Sequence, residues 1–198
     1  MKYSTILLNH SKKILLIFFG LILAILFLEL LIRLAINFLP DNYLPTHGIY
    51  QKSSSIIGQK LVPNSKGIWS REGFSKVKIN SKGWNDYERH YEKKEKIIRI
   101  AVVGDSFIEG NGLEREVRTT EILELGSGVE HLNFGTSGHF GPTQSWLLYK
   151  HLAKRFEHDV VVFGLLPDND FVDDDPILAG AYAGQYRPYS IEKESDYE

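Results

Sequence analysis

The sequence predicts an α/β protein with a parallel sheet, carried behind a membrane-spanning helix. Three observations lead there: one long uncharged apolar run near the N-terminus, three short strand-like apolar runs alternating with helical segments, and chemically capable side chains in the loop after each strand, the first two loops being glycine-rich. The bulk composition agrees. With 198 residues, 43% hydrophobic and 24% charged, the chain suits one globular domain plus an appendage. A formal charge of -2 offers no basic stripe for phosphates, so a nucleic-acid partner is not expected. The absence of cysteine excludes disulfides, thiolate metal sites and cysteine nucleophiles together.

The first element runs from Ile14 to Leu39 and is uncharged as far as Leu28. As a helix it would be roughly 39 Å long, against a hydrocarbon layer of about 30 Å. Glu29 and Arg33 are one helical turn apart and can pair, which lowers the cost of carrying them. A cleavable signal peptide would have a shorter apolar core and a small-x-small cleavage site, which the Asn37-Phe38-Leu39-Pro40 exit does not supply. A soluble core helix would keep a polar face, and this run has almost none. Lys2, Lys12 and Lys13 precede the span and no basic residue follows it until Lys52, so residues 1–13 are expected in the cytoplasm and the remainder outside. The bilayer is the expected partner of residues 14–39.

Residues 40–96 read as stalk and lead-in. Asp41 to Lys66 shows little periodicity, whereas Trp69 to Lys82 alternates around Val77 and Ile79 and predicts short strands or a hairpin. Asp86 to Lys96 is expected to be a solvated charged segment. From residue 97 the pattern becomes regular: strands at Ile97 to Val103, Val129 to Phe134 and Val160 to Leu166, with helices near Arg115 to Leu125 and Thr143 to Phe156. The second helix should bury a face through Trp146, Leu147, Tyr149, Leu152 and Phe156. Working groups of such sheets sit on loops beyond the carboxyl ends of the strands.

The first of these loops reads Gly104-Asp105-Ser106-Phe107. A serine on a tight strand-to-helix turn, with backbone N–H groups around it, suits a nucleophile; a serine N-cap is the plainer alternative. The second loop contains Asn133-Phe134-Gly135-Thr136-Ser137-Gly138, and the third Pro167-Asp168-Asn169-Asp170. Together these segments, in this order, resemble the first three sequence blocks of the SGNH (GDSL-like) hydrolase superfamily. Asn80-Ser81-Lys82-Gly83-Trp84 upstream also resembles a segment of its membrane-anchored bacterial members. The resemblance spans roughly residues 75 to 175 and implies a flavodoxin-like α/β/α sandwich. It further implies a serine esterase or acyl hydrolase acting on an ester, with an O-acylated envelope glycan or lipid as the expected substrate. By the same resemblance Ser106 is the nucleophile, and Gly138 and Asn169 are oxyanion donors beside the serine's own N–H. Glycine permits close backbone approach there, and an amide donates without titrating. No cofactor or metal is implied.

The chain departs from that pattern in lacking the final Asp-x-x-His block, which would supply the general base and its orienting carboxylate. Turnover is therefore expected to be weak or nil. His139 adjoins the oxyanion glycine, but no carboxylate can be assigned to orient it. His131, His151 and His158 read as structural or solvent-facing. Pro167 stands where the family places glycine and makes the position of Asn169 less secure. Only three core strands are evident, so residues 97–198 are expected to form a C-terminally incomplete, truncated domain with an uncovered strand edge. Asp168, Asp170, Asp173, Asp174 and Asp175 lack the EF-hand pattern and read as a solvated acidic loop, and Gly110-Asn111-Gly112 does not complete a dinucleotide motif. The alternative from another class is a noncatalytic membrane-tethered glycan-binding or scaffold protein.

Overall fold

The computed structural model describes residues 2–40, 51–71, 73–179 and 186–190, with side chains from residue 12 onward. The chain divides into two compact units, Met1–Leu44 and Pro45–Glu198. In the first, α1 is a single helix over Lys2–Ile36. Its Lys12–Ile36 portion, 25 residues, is long and apolar enough to cross a membrane, and its side chains are exposed throughout. The helix begins before the predicted Ile14 and stops short of Leu39. Its last carbonyls are taken by tighter i→i+3 bonds from Asn37, Phe38 and Leu39, and Pro40 follows. Arg33 Nε donates to Glu29 Oε1 at 2.8 Å, as the one-turn spacing predicts.

The second unit opens with an antiparallel hairpin of β1, Gln51–Ser54, and β2, Gly58–Leu61, within a stretch expected to be irregular. Ser54 Oγ accepts from the Ile56 and Ile57 N–H groups in the turn, so side-chain capping forms this hairpin where apolar alternation is missing. A second hairpin pairs β3, Lys66–Trp69, with β4, Ser75–Lys78, inside the predicted extended region. Leu61, Val77 and Ile79 form its small core.

The charged segment after Asp86 is not merely solvated. Asp86 and Arg89 are buried, and Arg89 binds Asp86 at 3.1 Å, Glu124 at 2.9 Å and Glu130 at 3.0 Å. Such a buried cation is tolerated because each face of the guanidinium fork meets a carboxylate. The segment thereby clamps the lead-in to the sheet.

That sheet has β5, Arg99–Gly104, between β6, Glu130–Gly135, and β7, Val160–Phe163, all parallel. Ala101, Val103, Leu132 and Phe134 are buried and pack with Trp84, Phe140, Leu148 and Phe156. Trp84 meets Phe134 edge-on at 4.8 Å between centroids. β7 remains an edge among the described residues, with Val160, Val162 and Phe163 exposed.

Two helices differ from expectation. A 3-10 turn at Arg115–Val117 precedes α3, Thr119–Ser127, because Arg118 is extended and sends its buried guanidinium to the carbonyls of Leu113 and Asn85. The second predicted helix divides into α4, Pro142–His151, and a 3-10 turn over Ala153–Arg155. Of the predicted face, Phe156 is buried and Leu147, Tyr149 and Leu152 pack against the core, whereas Trp146 is 53% exposed and the unpredicted Leu148 is buried. The later tail, Tyr182 to Glu198, lies outside the described residues except for 186–190, which form no regular element.

Candidate functional site

Ser106 opens a four-residue helix, α2, Ser106–Glu109, directly after β5. Asp105 caps it: Oδ1 accepts from the Phe107 N–H at 3.0 Å. The helix rests on glycines at the carboxyl ends of the three strands. A Cβ at Gly135 would run into the Glu109 backbone, and one at Gly104 or Gly164 would strike Ile108. Close approach of α2 to the sheet is what these glycines permit. Asn133 then latches the helix: its Nδ2 donates to Ile108 O at 2.7 Å and Thr120 Oγ1 at 3.0 Å, while Oδ1 accepts from Gly135 N–H. The asparagine of the second block thus has a positional role that spacing alone does not reveal.

The second loop is held from the other end of α2. Glu109 is wholly buried, and its Oε2 accepts from the Ser137 N–H at 2.6 Å. Burial pushes its carboxyl up, against the hydrogen bonds of Ser137 and the nearby charge of Arg118. Gly138 follows at φ 98°, a left-handed conformation that favours glycine. Its N–H donates to none of the described residues, while its carbonyl accepts from Gln59 Nε2 at 2.6 Å. An N–H left over in this way is what an oxyanion donor requires.

The third loop leads into α5, Asp170–Asp174. Asn169 precedes it and donates to Asp173 Oδ2 at 3.2 Å. The Asp105 carboxyl joins the first loop to the third. Burial raises its pKa, and the Ser106 hydroxyl and Asn169 side chain are among the hydrogen-bonding groups that pull it back down. Its Oδ2 is enclosed without a hydrogen bond of full geometry, so these are close approaches rather than ideal bonds. Ser106 and Asn169 thus both follow adjacent parallel strands, β5 and β7, and both act on the Asp105 carboxyl electrostatically. Gly138 is tied in indirectly, through Ser137 and Glu109.

The sequence predicts a solvated acidic loop, but Asp170 and Asp173 are buried. Burial and the carboxylates of Asp105, Asp173 and Asp174 push Asp170 up to about 6, against a hydrogen bond from Leu166. Among the described residues no cluster of three His, Asp or Glu side chains could hold a metal ion. His139, at φ 59°, has an orienting carboxylate that the sequence did not disclose: its Nδ1 lies 3.3 Å from Asp173 Oδ1. Arg187 reaches the same oxygen at 3.2 Å. His131 and His158 point Nδ1 at the carbonyls of Val129 and Phe156, in keeping with structural roles.

Beside Gly138 lies a cavity of about 210 Å³ whose lining includes Gln51, Gln59, Gln144 and Arg187. The sheet order β6-β5-β7 places the loops after β5 and β7 next to each other, at the point where the strand order reverses: the chain passes from β5 to β6 on one side and then crosses to β7 on the other. Ligands of open α/β sheets bind at such switch points. The sequence matches no protein-family model and no curated protein.

Proposed function

We propose that the chain is a membrane-anchored SGNH-type domain that hydrolyses or transfers an acyl group from an ester. Ser106 is the nucleophile; the N–H groups of Ser106 and Gly138 and the Asn169 amide receive the oxyanion. The observation that carries this reading is the placement of Ser106 and Asn169 on the loops that follow the adjacent parallel strands β5 and β7, at the switch point. That the Gly138 N–H donates to none of the described residues adds support. Strand order second-first-third is also how a flavodoxin-like sheet begins, which favours the α/β/α sandwich. An N-terminus inside and residues 45–198 outside follow from Lys2, Lys12 and Lys13 before the span, and an O-acylated envelope glycan or lipid fits that side.

Turnover is slow in this reading. The acceptor beside the Ser106 hydroxyl is the Asp105 carboxylate, a weaker base than imidazole even with its pKa raised by burial. The test is hydrolysis of an aryl acetate by the full chain in neutral detergent micelles. The expected rate is about a thousand- to ten-thousand-fold over water, rising with pH as the Asp105 carboxyl ionises. Asn169→Ala should lower it about a hundredfold. A rate equal to that of micelles alone would overturn the proposal.

A second reading, noncatalytic glycan binding, is favoured by the amide-lined cavity beside Gly138. Saturable binding of a neutral oligosaccharide without any esterolysis would select it.

A further inference from the structure

A second cavity, of about 200 Å³, lies between the β1–β2 hairpin, the turn at Lys82 and the 3-10 turn after α4. Four of its lining residues are cations, Lys52, Lys60, Lys82 and Arg155, and none is a carboxylate. Their arrangement is more than a solvated surface requires. Lys52 and Lys60 are direct cross-strand partners in the hairpin, a placement that like charges disfavour. Lys82 and Arg155 both lie over the Tyr91 ring, their charged atoms 5.1 and 5.0 Å from its centroid, which favours their pointing to the same place. Among the described residues none of the four takes part in an ion pair. Of the nearby acids, Glu88 accepts from Ser81 and feels the Lys82 charge without forming an ion pair with it, and Glu157 accepts from the Lys93 N–H. Beneath the cations the lining is apolar, from Leu61, Trp84 and Leu152.

We propose that this cavity binds a phosphate group borne on a small organic moiety. Cations from three separate segments surround a multiply charged anion, whereas a lone carboxylate is satisfied by a single bidentate arginine. The apolar floor takes the carbon skeleton. Phosphate relieves the Lys52–Lys60 repulsion, so the site holds like charges together in return for ligand affinity. Two sources carry this chemistry: the headgroup of an anionic phospholipid, and a soluble phosphoester. The inference stands independently of the acyl chemistry at Ser106.

The experiment uses the full chain in neutral detergent micelles at fixed ionic strength. Glycerol phosphate and inorganic phosphate are titrated by calorimetry and by thermal unfolding. The wild-type chain should bind saturably and melt higher with ligand, as binding to the folded state alone requires. Lys60→Gln and Lys82→Gln should each weaken binding about tenfold or more, the loss of one charge-assisted contact. Without phosphate, Lys60→Gln should melt at or above the wild type, since a like-charge pair is gone. That pairing of signs separates a ligand site from lysines that merely support the fold. In lipid nanodiscs, loss of glycerol phosphate binding on adding phosphatidylglycerol to a phosphatidylcholine bilayer identifies the headgroup as occupant. Unchanged binding identifies a soluble phosphoester. Absence of saturable binding, or equal affinity in wild type and both variants, overturns the proposal.

Discussion

Asp170 is the sharpest point at which burial and like charge work against the fold, and Asp170→Asn should relieve it. The carboxyl is 1% exposed, and burial with the nearby Asp105, Asp173 and Asp174 carboxylates raises its pKa from 3.8 to about 6. A folded-state pKa above the unfolded one means the folded chain holds the proton more tightly. The stability this supplies is complete below about pH 4 and is lost as pH rises through about 6. A shift of about two units corresponds to roughly 3 kcal/mol at pH 8. Asparagine keeps the acceptor for the Leu166 N–H, which Asp170 Oδ2 now binds at 2.8 Å, and discards the charge. At about 2–4 °C per kcal/mol for a domain of this size, the variant should melt roughly 6–12 °C higher at pH 8. It should match the wild type near pH 4. Thermal melts followed by circular dichroism in detergent micelles at both pH values measure this. Equal shifts at the two pH values, or a lower melting temperature at pH 8, would refute the reasoning.

The glycine platform under α2 yields a paired comparison. Gly135→Ala places a methyl group against the Glu109 backbone and should cost more than about 4 kcal/mol, read as loss of folded protein in denaturant titrations. Gly126→Ala, in α3 with nothing within 4 Å, should instead stabilise by about 0.5–1 kcal/mol. Glu109→Ala removes the acceptor of the Ser137 N–H and should cost about 2–4 kcal/mol by the same titration. For topology, a reporter active only outside the cytoplasm and fused after Glu198 should be active; silence there with activity of a cytoplasmic reporter would reverse the orientation.

Legibility in the sequence followed the strength of the local signal. The β-branched runs in β5 and β7 announce a parallel sheet because its strands read as apolar runs without polar alternation, although only β5 is buried and β7 is an exposed edge among the described residues. The β1–β2 hairpin is invisible by the same criterion, since Gln51-Lys52-Ser53-Ser54 has no apolar alternation and its turn depends on Ser54. Asp86 and Arg89 look solvated in a charged run, yet their burial depends on Glu124 and Glu130, over 30 residues away in sequence. Nonlocal pairing hides the site's support in the same way. Glu109 reads as an ordinary helical glutamate until Ser137 is set beside it, and His139 gains Asp173 only when α5 folds against the second loop. Position i+3 from Ser106, on a helix of one turn, is the signal that marks Glu109 as sharing the site.

Acylation of Ser106 tests the central claim most directly. The full chain in micelles is incubated with an aryl acetate, digested, and its peptides are mapped by mass spectrometry over time. The account predicts an acetyl group on Ser106, forming about a hundredfold more slowly in Asn169→Ala and absent from that peptide in Ser106→Ala. Acetylation confined to lysines, or a Ser106 peptide that stays unmodified while bulk hydrolysis proceeds, would contradict it.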